Sequence, residues 1–180
     1  MAGWFTVYCT RPVGSVTAGD LAAALGPGAV DFDALAEGFG IEDEAAVRRA
    51  VAALAVEPAA GDLGEWFQVR YRPARYRPLV VYRWDDGDRV REELDEAEAE
   101  YLTGRRGRGV GRVRAALGQV AEVAAVELGL AQLSDMGLVI AGQIAEFLAG
   151  VGAGPVRDTN DEWWEVRRGV PRLLLGRNGS

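Results

Sequence analysis

Apolar and polar side chains alternate most regularly between Glu65 and Trp84, EWFQVRYRPARYRPLVVYRW. Phe67, Val69 and Tyr71 interleave with Trp66, Gln68, Arg70 and Arg72, the period of two that a half-buried strand requires. Pro73 and Pro78 have no N–H for a ladder and bracket a loop, so a second strand is expected from about Leu79. Antiparallel pairing across that loop would set Tyr71 opposite Val80, Val69 opposite Tyr82 and Phe67 opposite Trp84. One face of this hairpin is then oily, and the other carries Trp66, Gln68, Arg70, Arg72, Val81 and Arg83.

The same patterning predicts the other elements. Trp4 to Thr10 alternates as a strand, with Phe5, Val7 and Cys9 on one face. Thr17 followed by Asp20 is a loose capping box for a short helix bearing Leu21 and Leu25, and Asp31 opens a second helix with Phe32, Leu35 and Ala36. Val47, Ala50, Val51 and Leu54 recur at helical spacing from Glu42 to Ala55, and Glu42, Asp43 and Glu44 suit the positive end of that helix dipole. After Asp85-Asp86-Gly87-Asp88, the stripe Val90, Leu94, Ala97 and Tyr101 predicts a helix to about Leu102. The glycine- and arginine-rich run 104–114 is expected to be a connection that turns into a helix through Val110, Val113 and Leu117. Residues 119–128 suit a strand or the end of one long helix, and their valines favour the strand. Ser134 and Asp135 cap a helix holding Leu138, Ala141, Ile144, Ala145 and Leu148. Two short strands, Gly154 to Arg157 and Glu162 to Val166, follow across the turn Asp158-Thr159-Asn160-Asp161. This order describes a single α+β domain over 1–180, with a mostly antiparallel sheet and helices packed on one side; a ferredoxin-like split βαβ core with additions is the expected topology.

The segment LAEGFGIEDEAAVRRAVAAL, Leu35 to Leu54, resembles the helix-turn-helix of bacterial transcription regulators. That resemblance would send the helix with Val47, Arg48 and Arg49 into the major groove of DNA. Val47, however, stands seven residues after the turn glycine Gly40 where the family has its valine at six. Glu42, Asp43 and Glu44 would also face the phosphates. An ordinary packed helix pair is expected instead, and nucleic acid is not an expected partner.

Composition narrows the chemistry. All twenty basic residues are arginine, and lysine and histidine are absent. Nucleophile pairs that rely on imidazole, Schiff-base lysines and phosphate loops with their lysine are therefore excluded. Cys9 is the sole cysteine, which rules out an internal disulfide, and its place on an apolar strand face reads as a core filler. The turn at Asp158 departs from a calcium loop because Trp163 stands where the glycine belongs, and Gly107-x-Gly109 departs from a dinucleotide fingerprint because Arg112 takes the last position. No catalytic residues, metal or cofactor are expected; an enzyme would have to bring carboxylates and tyrosines from distant segments into one cleft. The amino-terminal MAGWFTVYCT lacks the features of a signal peptide and no run is long enough to span a membrane, so a cytoplasmic protein without membrane contact is expected. The terminal GRNGS is expected to fray, and its Asn-Gly-Ser sequon has no meaning in the cytoplasm.

Charge is segregated beneath a net −7. Residues 65–84 hold five arginines against one glutamate, residues 85–103 nine carboxylates against two arginines, and residues 104–118 five arginines and no carboxylate. Such blocks either satisfy one another as solvated faces or form a recognition surface. Three aromatic pairs, Trp4-Phe5, Trp66-Phe67 and Trp163-Trp164, lie in predicted strands, where one member of each must face away from the main core; either a second layer covers them, or Trp66 and one of the terminal tryptophans are exposed beside arginines. Exposed tryptophan beside arginine is the composition of interface hot spots. The candidate binding residues are therefore Trp66, Arg70, Arg72, Arg75, Arg77, Arg83 and Trp163. The expected function is a non-enzymatic bacterial binding protein, an immunity-type or antagonist partner of a basic protein. The alternative is a small anionic-ligand or phosphate-binding module using the arginine face of the hairpin.

Overall fold

The computed structural model describes residues 3–177; the last three residues of the expected frayed end, with the sequon that starts at Asn178, lie outside them. The chain runs β1 (Gly3–Cys9), α1 (Ala18–Ala24), α2 (Phe32–Gly38), α3 (Glu44–Ala52), β2 (Ala55–Glu57), β3 (Trp66–Arg70), β4 (Leu79–Trp84), α4 (Gly87–Ala97), a π-helical turn (Glu98–Leu102), α5 (Arg108–Leu117), β5 (Glu122–Leu128), α6 (Met136–Gly152), β6 (Pro155–Arg157), β7 (Trp163–Arg167) and β8 (Val170–Leu175). The strands form one eight-stranded antiparallel sheet in the order β2-β3-β4-β5-β1-β6-β7-β8, the α+β architecture expected from the patterning. Both β5 and β6 run antiparallel to β1 and flank it, so β5–α6–β6 is a split βαβ unit straddling the first strand.

Local chemistry starts and stops these elements as the sequence implies. The Thr17 hydroxyl accepts from Asp20 N at 3.1 Å while the Asp20 carboxylate accepts from Thr17 N at 3.0 Å, closing the capping box. Residues 122–128 form a strand, because Val123, Ala124, Ala125 and Val126 are buried in the middle of the sheet between β4 and β1. The β7–β8 hairpin turns through Arg168 and Gly169, both at positive φ, the geometry of a tight two-residue connection.

Two cores result. Phe5, Val7 and Cys9 of β1 face the larger one with Phe67, Val69, Leu79 and Val81, covered by α1, α2, α3 and α6. Helix α6 touches β1 and β5 as well as α1, α2 and α3, which is why almost every turn of it is apolar. On the opposite face Tyr8, Val123 and Trp163 meet Val90 and Ala97 of α4, Leu102, and Val110, Val113 and Leu117 of α5. This second layer corrects the expectation that helices pack on one side alone. β1, β5 and β7 carry large apolar groups at both alternations, so each face needs a cover. Close approach in the second layer also accounts for a glycine of the basic run, since a Cβ on Gly109 would run into the Leu174 carbonyl oxygen. Helix α5 therefore rests directly on the backbone of β8.

The central hairpin is offset from the expected register. Phe67 faces Val81, Gln68 faces Val80 and Trp66 faces Tyr82. The shift is odd, so every side chain of β4 changes side relative to expectation. Leu79, Val81 and Arg83 point to the main-core side, and Val80, Tyr82 and Trp84 join Trp66, Gln68 and Arg70 on the other. The physical reason is that LVVYRW is apolar at five of its six positions and packs on both faces, so alternation alone does not choose between registers.

Candidate functional site

The corrected register separates the arginines that were expected to share a face. Arg83 points inward: its Nε donates to the Glu122 carboxylate at 2.7 Å and its Nη1 to the Gly64 carbonyl at 2.8 Å. Arg70 lies on the opposite face and pairs with Glu57 at 2.9 Å. Arg72 leaves the ladder at the hairpin loop and meets Asp135 at the start of α6, and Arg77 pairs with Glu127 at 2.6 Å. Arg75 is exposed, its guanidinium 5.0 Å from the centre of the Tyr76 ring. The premise of converging guanidinium groups is thereby corrected: carboxylates of three different segments, with Glu122 and Glu127 at opposite ends of β5, hold Arg70, Arg72, Arg77 and Arg83 apart. In the second basic run Arg114 pairs with Glu98 at 2.5 Å and Arg112 with Glu165, so the charge blocks partly neutralise each other within the fold.

The two candidate tryptophans have opposite fates. Trp163 is fully buried and stacks on Tyr8 with ring centres 5.2 Å apart, so it is a core residue with no contact surface to offer. Trp66 is 57% exposed. It is joined by Tyr82, its direct cross-strand partner, and by Trp4, whose ring centre lies 6.2 Å from that of Tyr82. Tyr82 and Thr6 both pair with Ala125 of β5, and the small alanine lets side chains from β4 and β1 meet above it. Helices α4 and α5 cover the rows containing Trp84, Val123 and Tyr8 and stop short of this patch. The outcome is an open half-face anchored by Trp4, Trp66 and Tyr82, with Gln68, Val80 and the Arg70–Glu57 and Arg77–Glu127 pairs around it. Tyr82 was hidden in the sequence because the expected register placed it in the core.

Helix α4 forms the acidic border of the covered half. Asp85, Asp86, Asp88, Glu92, Asp95, Glu96 and Glu100 of this region are all exposed. Within α4, Glu93 turns inward, where the Tyr8 hydroxyl donates to it at 2.9 Å and Arg157 stands 3.9 Å away. Burial raises the Glu93 carboxyl above its ordinary range, and burial likewise raises Tyr8. The Arg157 guanidinium lies 4.0 Å from the centre of the Tyr101 ring, in the π-helical turn that follows α4. This knot of Tyr8, Glu93, Arg157 and Tyr101 fixes the acidic helix over the covered half of the sheet face.

Cys9 is buried and its thiol is pushed up to about 12, first by burial and then by Glu122, which suits a core position and not a nucleophile. The segment that resembles a helix-turn-helix forms the pair α2 and α3, which packs on α6 through Phe32, Ala36, Val47 and Ala50. No helix among the described residues is long and apolar enough to cross a membrane. Comparison with protein-family models, with curated proteins and with solved structures returns no match for this chain.

Proposed function

We propose that the protein is a non-enzymatic cytoplasmic binding protein that takes a basic protein partner on the open half of its sheet. The observation that supports this reading is the contiguous patch of Trp66, Tyr82 and Trp4, exposed by 57%, 38% and 37%, on a face whose other half is covered by helices. Large aromatic groups left in water cost about 25 cal/mol per Å² of apolar surface, and a partner that covers them recovers that energy. Tryptophan and tyrosine are the residues that most often anchor such contacts. The exposed carboxylates of α4, the helix on the covered half of the same face, supply the electrostatic half. They attract a basic surface, speed its encounter and discriminate against acidic proteins. An antagonist or immunity-type partner that occludes a basic protein is the role such a surface serves best.

The test is capture from source lysate with three forms of the full chain: wild type, Trp66→Ala with Tyr82→Ala, and Asp95→Asn with Glu96→Gln. Both altered pairs are exposed, so folding is preserved. A basic protein retained by wild type is expected to be lost from the aromatic variant. From the charge variant it should be lost as salt rises. Truncating one hot-spot residue costs about 2 kcal/mol, close to thirtyfold in affinity. Equal retention by all three forms, or a captured protein without a basic surface, refutes the reading.

A further inference from the structure

Away from the open face, the loop between β3 and β4 leans over the start of α6 and one side of α3 and encloses a cleft of about 710 Å³. Cavities of roughly 300–1,000 Å³ are the size that accepts small organic ligands. Three guanidinium groups line it, Arg49 from α3 and Arg72 and Arg75 from the loop, against the single carboxylate of Asp135. This is a local excess of positive charge in a chain whose net charge is −7.

The bonds already made in the cleft indicate which of these groups are available. Asp135 is committed to the protein: one oxygen accepts from Gly137 N at 2.6 Å and from the Tyr71 hydroxyl at 3.0 Å, and the other accepts from Arg72. It therefore caps α6 and steadies Arg72. The Arg72 guanidinium lies 5.3 Å from the Tyr71 ring centre and 5.5 Å from that of Tyr76, which also holds Arg75. Arg49 meets Asp43 only at 3.6 Å, with both side chains more than 60% exposed, a pairing too solvated to oppose a better acceptor. A planar fork of donors on each of three arginines matches the oxygens of a carboxylate or phosphate. Beneath them Ile41, Ala50 and Met136 form an apolar floor.

We propose that this cleft binds a small organic anion bearing a planar ring, its anionic group held by Arg72, Arg75 and Arg49 and its ring laid on the floor of Ile41, Ala50 and Met136. The site is separate from the aromatic patch and stands whether or not a protein docks there. Titration calorimetry on the full chain tests it with three probes: adenosine monophosphate as a ring with phosphate, benzoate as a ring with carboxylate, and inorganic phosphate without a ring. At least one ring-bearing probe is expected to bind about tenfold more tightly than inorganic phosphate, and the tighter of the two identifies the anion. Arg49→Gln and Arg75→Gln, both on the surface, should each weaken that binding about tenfold, the loss of one charge-assisted contact. Arg106→Gln, outside the cleft, should leave it unchanged. Absence of heat from all three probes at about 5 mM, a level that would reveal even millimolar binding, overturns the proposal. So does an affinity indifferent to Arg49→Gln and Arg75→Gln.

Discussion

Replacing Glu122 by alanine should destabilise the protein far more than removing any of its exposed charges. The Glu122 side chain is 2% exposed and that of Arg83 9%, so both charges have left water. One Glu122 oxygen accepts from Arg83 Nε at 2.7 Å and the other from Val13 N at 2.8 Å. Glu122→Ala leaves a buried guanidinium with the Gly64 carbonyl as its remaining partner and strands the Val13 amide. Breaking a buried pair by removing one partner costs about 3–5 kcal/mol, and an orphaned buried amide about 1–3 kcal/mol. The two penalties overlap because local relaxation serves both, so about 4 kcal/mol is expected. With a urea dependence of about 2 kcal/mol per molar for a domain of this size, the unfolding midpoint should fall by about 2 M. The double variant Arg83→Met with Glu122→Leu removes both charges and keeps the volume. It should lose only the share due to Val13, about 1–3 kcal/mol, and so be more stable than Glu122→Ala. Urea titration followed by circular dichroism, read as a double-mutant cycle, measures the difference. If Glu122→Ala melts within about 0.5 M of wild type, the pair is not desolvated and the reasoning fails.

Trp163→Ala should cost about 3–5 kcal/mol and Trp66→Ala no more than about 0.5 kcal/mol, measured by the same titration; comparable losses would mean that burial has been assigned to the wrong tryptophan. The Cys9 thiol, pushed up to about 12, should resist a thiol-specific disulfide reagent at about pH 8 until urea unfolds the chain, and rapid labelling of native protein would contradict its burial. Because burial raises the Glu93 carboxyl, the folded state holds its proton more tightly than the unfolded chain, and this contribution to stability is present below the ordinary glutamate range and lost as pH rises through the raised value. Glu93→Gln should therefore gain on wild type in unfolding free energy between about pH 4 and pH 7, and a difference that stays constant across that range would refute the assignment.

Much of the architecture was legible because single alternations and caps are local signals. β1, the capping box at Thr17, α3 and α4 all follow from side chains within one or two turns of each other. The second core was legible only as one of two readings of the tryptophan pairs, because Tyr8, Val123 and Trp163 come together only once β5, β1, β6 and β7 lie side by side. The register of β4 failed for a related reason. A strand buried on both faces carries apolar residues at consecutive positions, and the choice is made by its neighbours, including the buried acceptor Glu122 that draws Arg83 inward. The arginine face dissolved with it. β2, three residues long, and β8, whose run begins Val170-Pro171, gave too short or too interrupted a pattern to stand out. Of the candidate site, Trp66 as an exposed aromatic was readable, whereas Tyr82 and the cleft beside Asp135 depend on the loop geometry.

The first strand waits for its partners. Phe5 pairs with Val126 and Thr6 with Arg157, so the centre of the sheet cannot close until residue 157 has been made. Chains dominated by such distant pairings fold slowly, since loop closure is paid before any ladder bond rewards it. During synthesis β1 emerges as a greasy ribbon with both edges unsatisfied, the kind of segment that chaperones shield. Moving that ribbon to the carboxyl end by circular permutation would let it dock on a sheet already standing, and refolding should then quicken.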